Sequence, residues 1–505
     1  MNERITRLVE TETENPEFPM KKNLLRALAL LPLVALPAAA GDGTVVLKVG
    51  KVIDNAGEAI ENGTIVIENG RITAVGADVQ GRWDVEVREY PDLVAFPGFV
   101  EALTNNGMDR ANENIDVAAF LDVRDSIDPV NFFFEDCLRW GVTTINVQHG
   151  DQCVIGANGH VLKPWGMTVE QMSVKPGAGL AISASPKRGK SRATQAQLLR
   201  RAFGDLRRYL EGVVQEKRDG VDHARREALY QGREPDEETA HGRPMGGSAW
   251  KVEGLELVPR WEIDEKQAPL LALVEGRMPA FVYCGAPMDV RVAIEIARDN
   301  GFLARTTLVL DESCWKAADE IKAAGVPVVL SPQLLHIERD PVSGDEIETF
   351  VPGVFHEKGV EFALRSANAS TQSLWYQAAR CVGYGLDRQV AIEAVTKTPA
   401  RMLGLEDRVG SLQKGMDGNV LLFSGDPLSV TSFCEQVFIE GEHRYDRSKD
   451  VRAQHLTTGA QPENTVPSEE ATEPDETDVD DEEGDENKGD EETGKGNGGE
   501  EDEED

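Results

Sequence analysis

The run Leu93-Val94-Ala95-Phe96-Pro97-Gly98-Phe99-Val100-Glu101-Ala102-Leu103-Thr104-Asn105 constrains the fold of this chain more than any other stretch. It is apolar over most of its length and is interrupted once, by Pro97-Gly98. A continuous apolar run of strand length belongs in a sheet covered on both faces, and a Pro-Gly step marks a tight turn at the point of entry. Downstream, strand-like and helix-like segments alternate. Gly141 to Val147 reads as a strand entered from a turn, and Thr194 to Leu210 as a basic amphipathic helix. Val290 to Asn300 reads as a helix feeding the strand Thr306 to Leu310. Trp315 to Ala324 reads as a helix ended by Gly325 and followed by the strand Val326 to Leu330. Such alternation predicts a parallel sheet with helices outside it. The fourth strand of that series has no clear signal.

Both flanks of the alternating region are β-rich. Thr64 to Ile67 and Arg71 to Val75 are short apolar or alternating runs around Asn69-Gly70, a strong hairpin signal. The segment Gly410 to Phe423, followed by Asp426-Pro427 and Val437 to Gly441, supplies similar runs near the other end.

Several sequence words resemble the amidohydrolase superfamily, in particular an exported, imidazolonepropionase-like subgroup. Pro97-Gly98-x-x-Glu101-x-Leu103-x-Asn105 aligns with its first-strand motif Pro-Gly-x-x-Asp-x-His-x-His. Val123-Arg124-Asp125-Ser126-Ile127-Asp128-Pro129, Ser185-Pro186-Lys187-Arg188 and Ala394 to Gly404 match further words, as does Gly410-Ser411-Leu412. The likeness is collinear over about residues 44 to 445. It implies a (β/α)8 barrel at 96–404 and a β-sandwich split between 41–95 and 405–447. It also implies metal-dependent hydrolysis of non-peptide C–N bonds, such as cyclic amides.

The positions that hold the metal in the family are replaced. Leu103 and Asn105 stand at the first-strand histidines. Tyr283 and Gly285 stand at the fifth-strand histidines and Leu310 at the sixth-strand histidine. Ala367, beside Asn368, stands at the eighth-strand aspartate. Leucine cannot ligate a metal, and a neutral amide is a weak oxygen donor. No metal or other cofactor is therefore expected, and these positions become candidates for lining a ligand pocket. The leading expectation is a catalytically degenerate member that binds a small molecule, forms a homo-oligomer, or pairs with an active relative. The alternative is a hydrolase with a relocated site around His149, Asp311 and Glu312, with zinc or another divalent ion only in that case. The plainer reading of those three is polar groups around a wet barrel mouth.

The net charge of −36 is uneven: Gln461 to Asp505 holds 22 acidic residues and two lysines, leaving −16 elsewhere. An acidic surface argues against nucleic acid or anionic membrane as a partner. Residues 456–505 are too polar to bury a core and read as a disordered tail. Met20-Lys21-Lys22, the apolar run Leu24 to Leu36 and Pro37-Ala38-Ala39-Ala40 have the layout of a cleaved signal peptide within a leader spanning residues 1–40. The expected location is periplasmic or secreted, with no membrane association after cleavage. The six cysteines show no Cys-x-x-Cys spacing, so buried thiols or disulfides both fit.

Overall fold

The computed structural model describes residues 43–55, 59–77, 79, 85–230, 252–255, 258–366 and 373–458. The expected signal segment, the acidic tail from residue 461, Ala367 and Asn368 lie outside these residues. The first strands are β1 (Val45–Val52), β2 (Ile60–Glu61), β3 (Thr64–Glu68), β4 (Arg71–Gly76) and β5 (Glu86–Pro97). β3 and β4 form the expected hairpin, with Asn69 at φ 51° and Gly70 at φ 78°. Two consecutive left-handed residues match the right-handed twist of the strands, which is why Asn-Gly is favoured there. β5 passes directly into β6 (Phe99–Thr104) through Gly98, where an added Cβ would collide with Thr143.

The barrel continues with β7 (Val142–Val147), β8 (Ile155–Leu162), β9 (Ser173–Ser183), β10 (Ala280–Cys284), β11 (Thr306–Leu310) and β12 (Val328–Leu330). A separate hairpin, β13 (Leu335–Arg339) and β14 (Glu346–Phe350), precedes the last barrel strand, β15 (Phe362–Leu364). The spatial order is β15-β12-β11-β10-β9-β8-β7-β6. The sheet is not wholly parallel as expected, because β8 runs antiparallel to both β7 and β9. Only residues 148–154 join β7 to β8, too few for the helical crossover that a parallel neighbour requires.

The ends β15 and β6 are not paired directly. Residues 394–395 bridge the gap: Val100 donates to the Val395 carbonyl at 2.9 Å, and Leu364 donates to the Ala394 carbonyl at 3.0 Å. The helices Arg192–Tyr230, Pro287–Asp299, Ala318–Ala324 and Leu374–Gly383 contribute to the outer apolar layer. The first of them is 39 residues long and extends well beyond the helix expected at 194–210.

The chain then returns to the first sheet as β16 (Val420–Phe423), β17 (Cys434–Ile439) and β18 (Glu442–Asp446). β16 pairs antiparallel with β5, from Val420 opposite Pro97 to Phe423 opposite Val94. Strands from both ends of the chain thus share one continuous eight-stranded sheet. Asp417, just before β16, has a side chain only 2% exposed and is ringed by cations. Arg408 Nη2 lies at 2.8 Å, and Lys163 and Arg71 each at 3.5 Å. Lys163 follows β8, so this cluster ties the barrel to the first sheet. A second unit, Val451–Asp505, contains the described helix Val451–Thr458. All six cysteines are buried and free. Among the described residues no helix is long and apolar enough to cross a membrane.

Candidate functional site in the barrel mouth

Side chains alternate along β10, β11 and β15, and that alternation decides which of their residues face the interior. Phe281, Val309, Val329 and Ala363 share one buried cluster with Val100 and Ala102, the barrel interior. Their neighbours Val282, Leu308, Leu310 and Leu364 belong instead to the layer under the helices. Two steps beyond Phe281, Val309 and Ala363, the inward register reaches Tyr283, Asp311 and Arg365. A cavity of about 290 Å³ opens here, walled by Leu103, Phe281 and Val309 on its apolar side and by Asn105, His149 and Arg365 on its polar side.

Tyr283 donates its hydroxyl to Asp311 Oδ2 at 2.7 Å, and Arg365 Nη2 lies 4.0 Å from Asp311 Oδ1. Burial pushes the Asp311 carboxyl above its ordinary value, against the Tyr283 hydrogen bond and the Arg365 charge. Burial, with the bond to Asp311, raises Tyr283 as well. Gly285 is essential to this arrangement: a Cβ there would sit 2.7 Å from Ser185 Oγ and 3.3 Å from the Tyr283 hydroxyl. Ser185 Oγ is itself fixed, accepting from Gly285 N at 2.7 Å and donating to buried Asp289 at 2.6 Å.

Glu101 lies on β6, on the face turned away from the interior. It is 1% exposed and accepts from Ser366 N at 3.1 Å and Ser366 Oγ at 2.5 Å. Burial pushes its carboxyl up to about 7, although the Ser366 donors oppose the rise. Just after the neighbouring strand β7, His149 Nδ1 meets the Gly150 carbonyl at 2.8 Å, and its ring occupies a slot left open by Gly156. His149 Nε2 faces the buried thiol of Cys153 at 3.9 Å. Lys187 Nζ is buried with no hydrogen-bond partner among the described residues, and burial holds its ammonium down to about 8.

No protein-family profile matches the sequence. Over 77 residues the chain is 34% identical to the amidohydrolase tasK of Hapsidospora irregularis, a match covering 15% of this chain and 8% of that protein. The crystal structure of an amidohydrolase from Thermotoga maritima MSB8 overlays with a TM-score of 0.63 at 23% identity, covering 80% of this chain and 100% of that one. The chain shares the fold of that amidohydrolase. An adenosine deaminase from Xanthomonas campestris with bound zinc overlays at a TM-score of 0.45 and 16% identity, over 80% of this chain and 93% of that one.

Within this barrel the positions singled out from the sequence separate. Leu103, Asn105 and Tyr283 line the cavity, as does His149. Asp311 reaches the cavity through Tyr283. Gly285 stands beside the cavity as the space that this pair needs. Leu310 is a correction: it is 1% exposed and packs in the helix-facing layer, so it does not line the pocket. The inward residue of the sixth barrel strand is Asp311, one position on. Glu312 is also corrected, since it begins the short turn Glu312–Ala317 and meets Ser331 Oγ at 3.5 Å outside the cavity lining. Arg365 was missed by sequence reading. The sequence offers only an apolar run, Phe362-Ala363-Leu364, ending on a cation; with every residue of that strand buried, it does not mark Arg365 as inward.

The metal that the amidohydrolase resemblance implies does not fit these residues. The described stations offer leucines, an amide, a phenol and a glycine; of the carboxylates nearby, Asp311 is engaged by Tyr283, and Asp151 lines the cavity without two further ligands among the described residues converging on it. Among the described residues no three His, Cys, Asp or Glu side chains converge as a metal site requires.

Proposed function

We propose that this amidohydrolase-fold protein binds a small molecule in its barrel mouth and no longer carries out metal-dependent hydrolysis of C–N bonds. The observation that supports this reading is the Tyr283–Asp311 hydrogen bond over Gly285. A fifth-strand histidine at 285 would need the space that Ser185 and Tyr283 occupy. A histidine at 285 and the present Tyr283–Asp311 arrangement therefore compete for the same space.

A second reading keeps hydrolase activity through a relocated acid–base site. Its support is narrower: His149 lines the same cavity that Asp311 approaches, and burial raises the Asp311 carboxyl toward a useful range. Metal analysis of the purified full chain, with cyclic-amide hydrolysis measured with and without chelator, separates the two. Substoichiometric metal and no hydrolysis support the binding role. Hydrolysis abolished by Asp311→Asn, whether or not a chelator also stops it, would favour the relocated site and refute the binding-only reading.

The leader adds a proposal about location. A signal peptide over residues 20–40 predicts a mature chain beginning near Gly41 in the periplasm or medium. N-terminal sequencing of exported protein tests it, and recovery of Met1 would overturn it. Association with a second copy or with an active relative fits a binding role, and size-exclusion with light scattering measures it.

A further inference from the structure

We infer that the barrel-mouth cavity takes a small, apolar-tailed monocarboxylate held by the guanidinium of Arg365. This rests on the reading of that cavity as a ligand site. A guanidinium carries five N–H donors and no acceptor, and desolvated donors need partners. The Arg365 side chain is only 20% exposed. Its Nε is buried and meets no acceptor among the described residues. Its Nη2 lies 4.0 Å from Asp311, beyond hydrogen-bond reach.

Each nearby acid has another hydrogen-bond donor: Asp311 Oδ2 accepts from Tyr283, Glu101 from Ser366, and Asp151, which also lines the cavity, from Gln152 at 3.2 Å. Residues 367–372, which follow Arg365, are Ala-Asn-Ala-Ser-Thr-Gln and bring no carboxylate. The Arg365 carbonyl accepts from Gln377 at 2.6 Å, so the backbone beneath the side chain is anchored. What remains is a positioned cationic fork on the wall of a cavity.

The chemistry of the other walls narrows the ligand. A planar carboxylate matches the guanidinium fork with two parallel hydrogen bonds. A phosphate dianion would bring a second negative charge toward Asp151 and Asp311. Leu103, Ile182, Phe281 and Val309 line the cavity and would receive an apolar body. The volume, about 290 Å³, is at the small end for ligand pockets.

The test is calorimetric titration of the full chain with benzoate, its neutral counterpart benzamide, and inorganic phosphate. Benzoate should bind at least ~10-fold more tightly than benzamide, and phosphate should bind more weakly than benzoate. Arg365→Leu should weaken benzoate ~10-fold or more and leave benzamide unchanged. Arg365→Lys, which keeps the charge without the fork, should fall between them and covers the case in which the leucine variant does not fold. Equal binding of benzoate and benzamide, or unchanged benzoate binding in both variants, overturns the carboxylate inference. If Leu103→Trp then abolishes that equal binding, the cavity still stands as a ligand site. If no probe binds the parent chain, the inference and the ligand-site reading fall together.

Discussion

Tyr283 on β10 and Asp311 immediately after β11, 28 residues apart, are joined by a 2.7 Å hydrogen bond beside the positions, Tyr283, Gly285 and Leu310, where the amidohydrolase resemblance places metal ligands. Parallel pairing of β10 with β11, with Cys284 opposite Leu310, sets their inward positions within reach. Tyr283→Phe removes one donor from a carboxylate about one-third exposed, so the expected loss is ~1 kcal/mol. The same change should raise the Asp311 pKa further, because the Tyr283 bond opposes the effect of burial. Carboxyl-carbon NMR titration reads this directly, and a fall in the Asp311 pKa would refute the assignment.

Glu101 gives the fold a pH dependence of definite sign. Its native carboxyl keeps its proton up to about 7, against an ordinary value of 4.5. Between those values the folded chain binds more protons than the unfolded chain, so stability falls as pH rises. The contribution is complete below 4.5 and gone above 7, with an upper bound of ~3 kcal/mol. Glu101→Gln, neutral throughout, should flatten this slope. Urea midpoints at pH 5 and pH 8 measure it, and an unaltered slope in the variant would count against a buried titrating Glu101.

Asp417 joins cations from separate parts of the chain, and its removal should be costly. Asp417→Ala leaves Lys163, whose side chain is 8% exposed, without its buried partner. Stranding a buried charge costs ~3–5 kcal/mol. Lys163 also contacts Glu440, which is half-exposed and offsets part of that loss. A denaturation midpoint within error of the parent would show that the cluster contributes nothing.

Histidine restored at the positions aligned from sequence should not rebuild a metal site. Leu310→His places a polar ring in the apolar layer under the helices, at a cost of ~2–5 kcal/mol for lost packing and an unpaired polar group. Gly285→His must displace Ser185 and break the Tyr283–Asp311 bond. The expected outcome for the pair is lower stability with no gain in zinc, read by thermal melting and metal analysis. Stoichiometric zinc in that variant would contradict the strand register described above.

Local chemistry along the chain was enough to determine the Asn69-Gly70 hairpin, the strand entering at Pro97-Gly98 and the helix closed by Gly325, whereas the joining of residues 410–441 to the first strands was implied only by the family resemblance. The first three depend on backbone preference or hydrophobic period within a few residues. Only the tertiary structure decided that β8 runs antiparallel, that Asp311 rather than Leu310 faces the cavity, and that Arg365 stands there without a hydrogen-bonded acid among the described residues. A barrel strand such as Thr306–Leu310 is buried along both faces, so alternation cannot tell the inward side from the outward one. A shift of one residue exchanges the two faces, and that shift is set by pairing with distant strands, beyond the reach of local sequence.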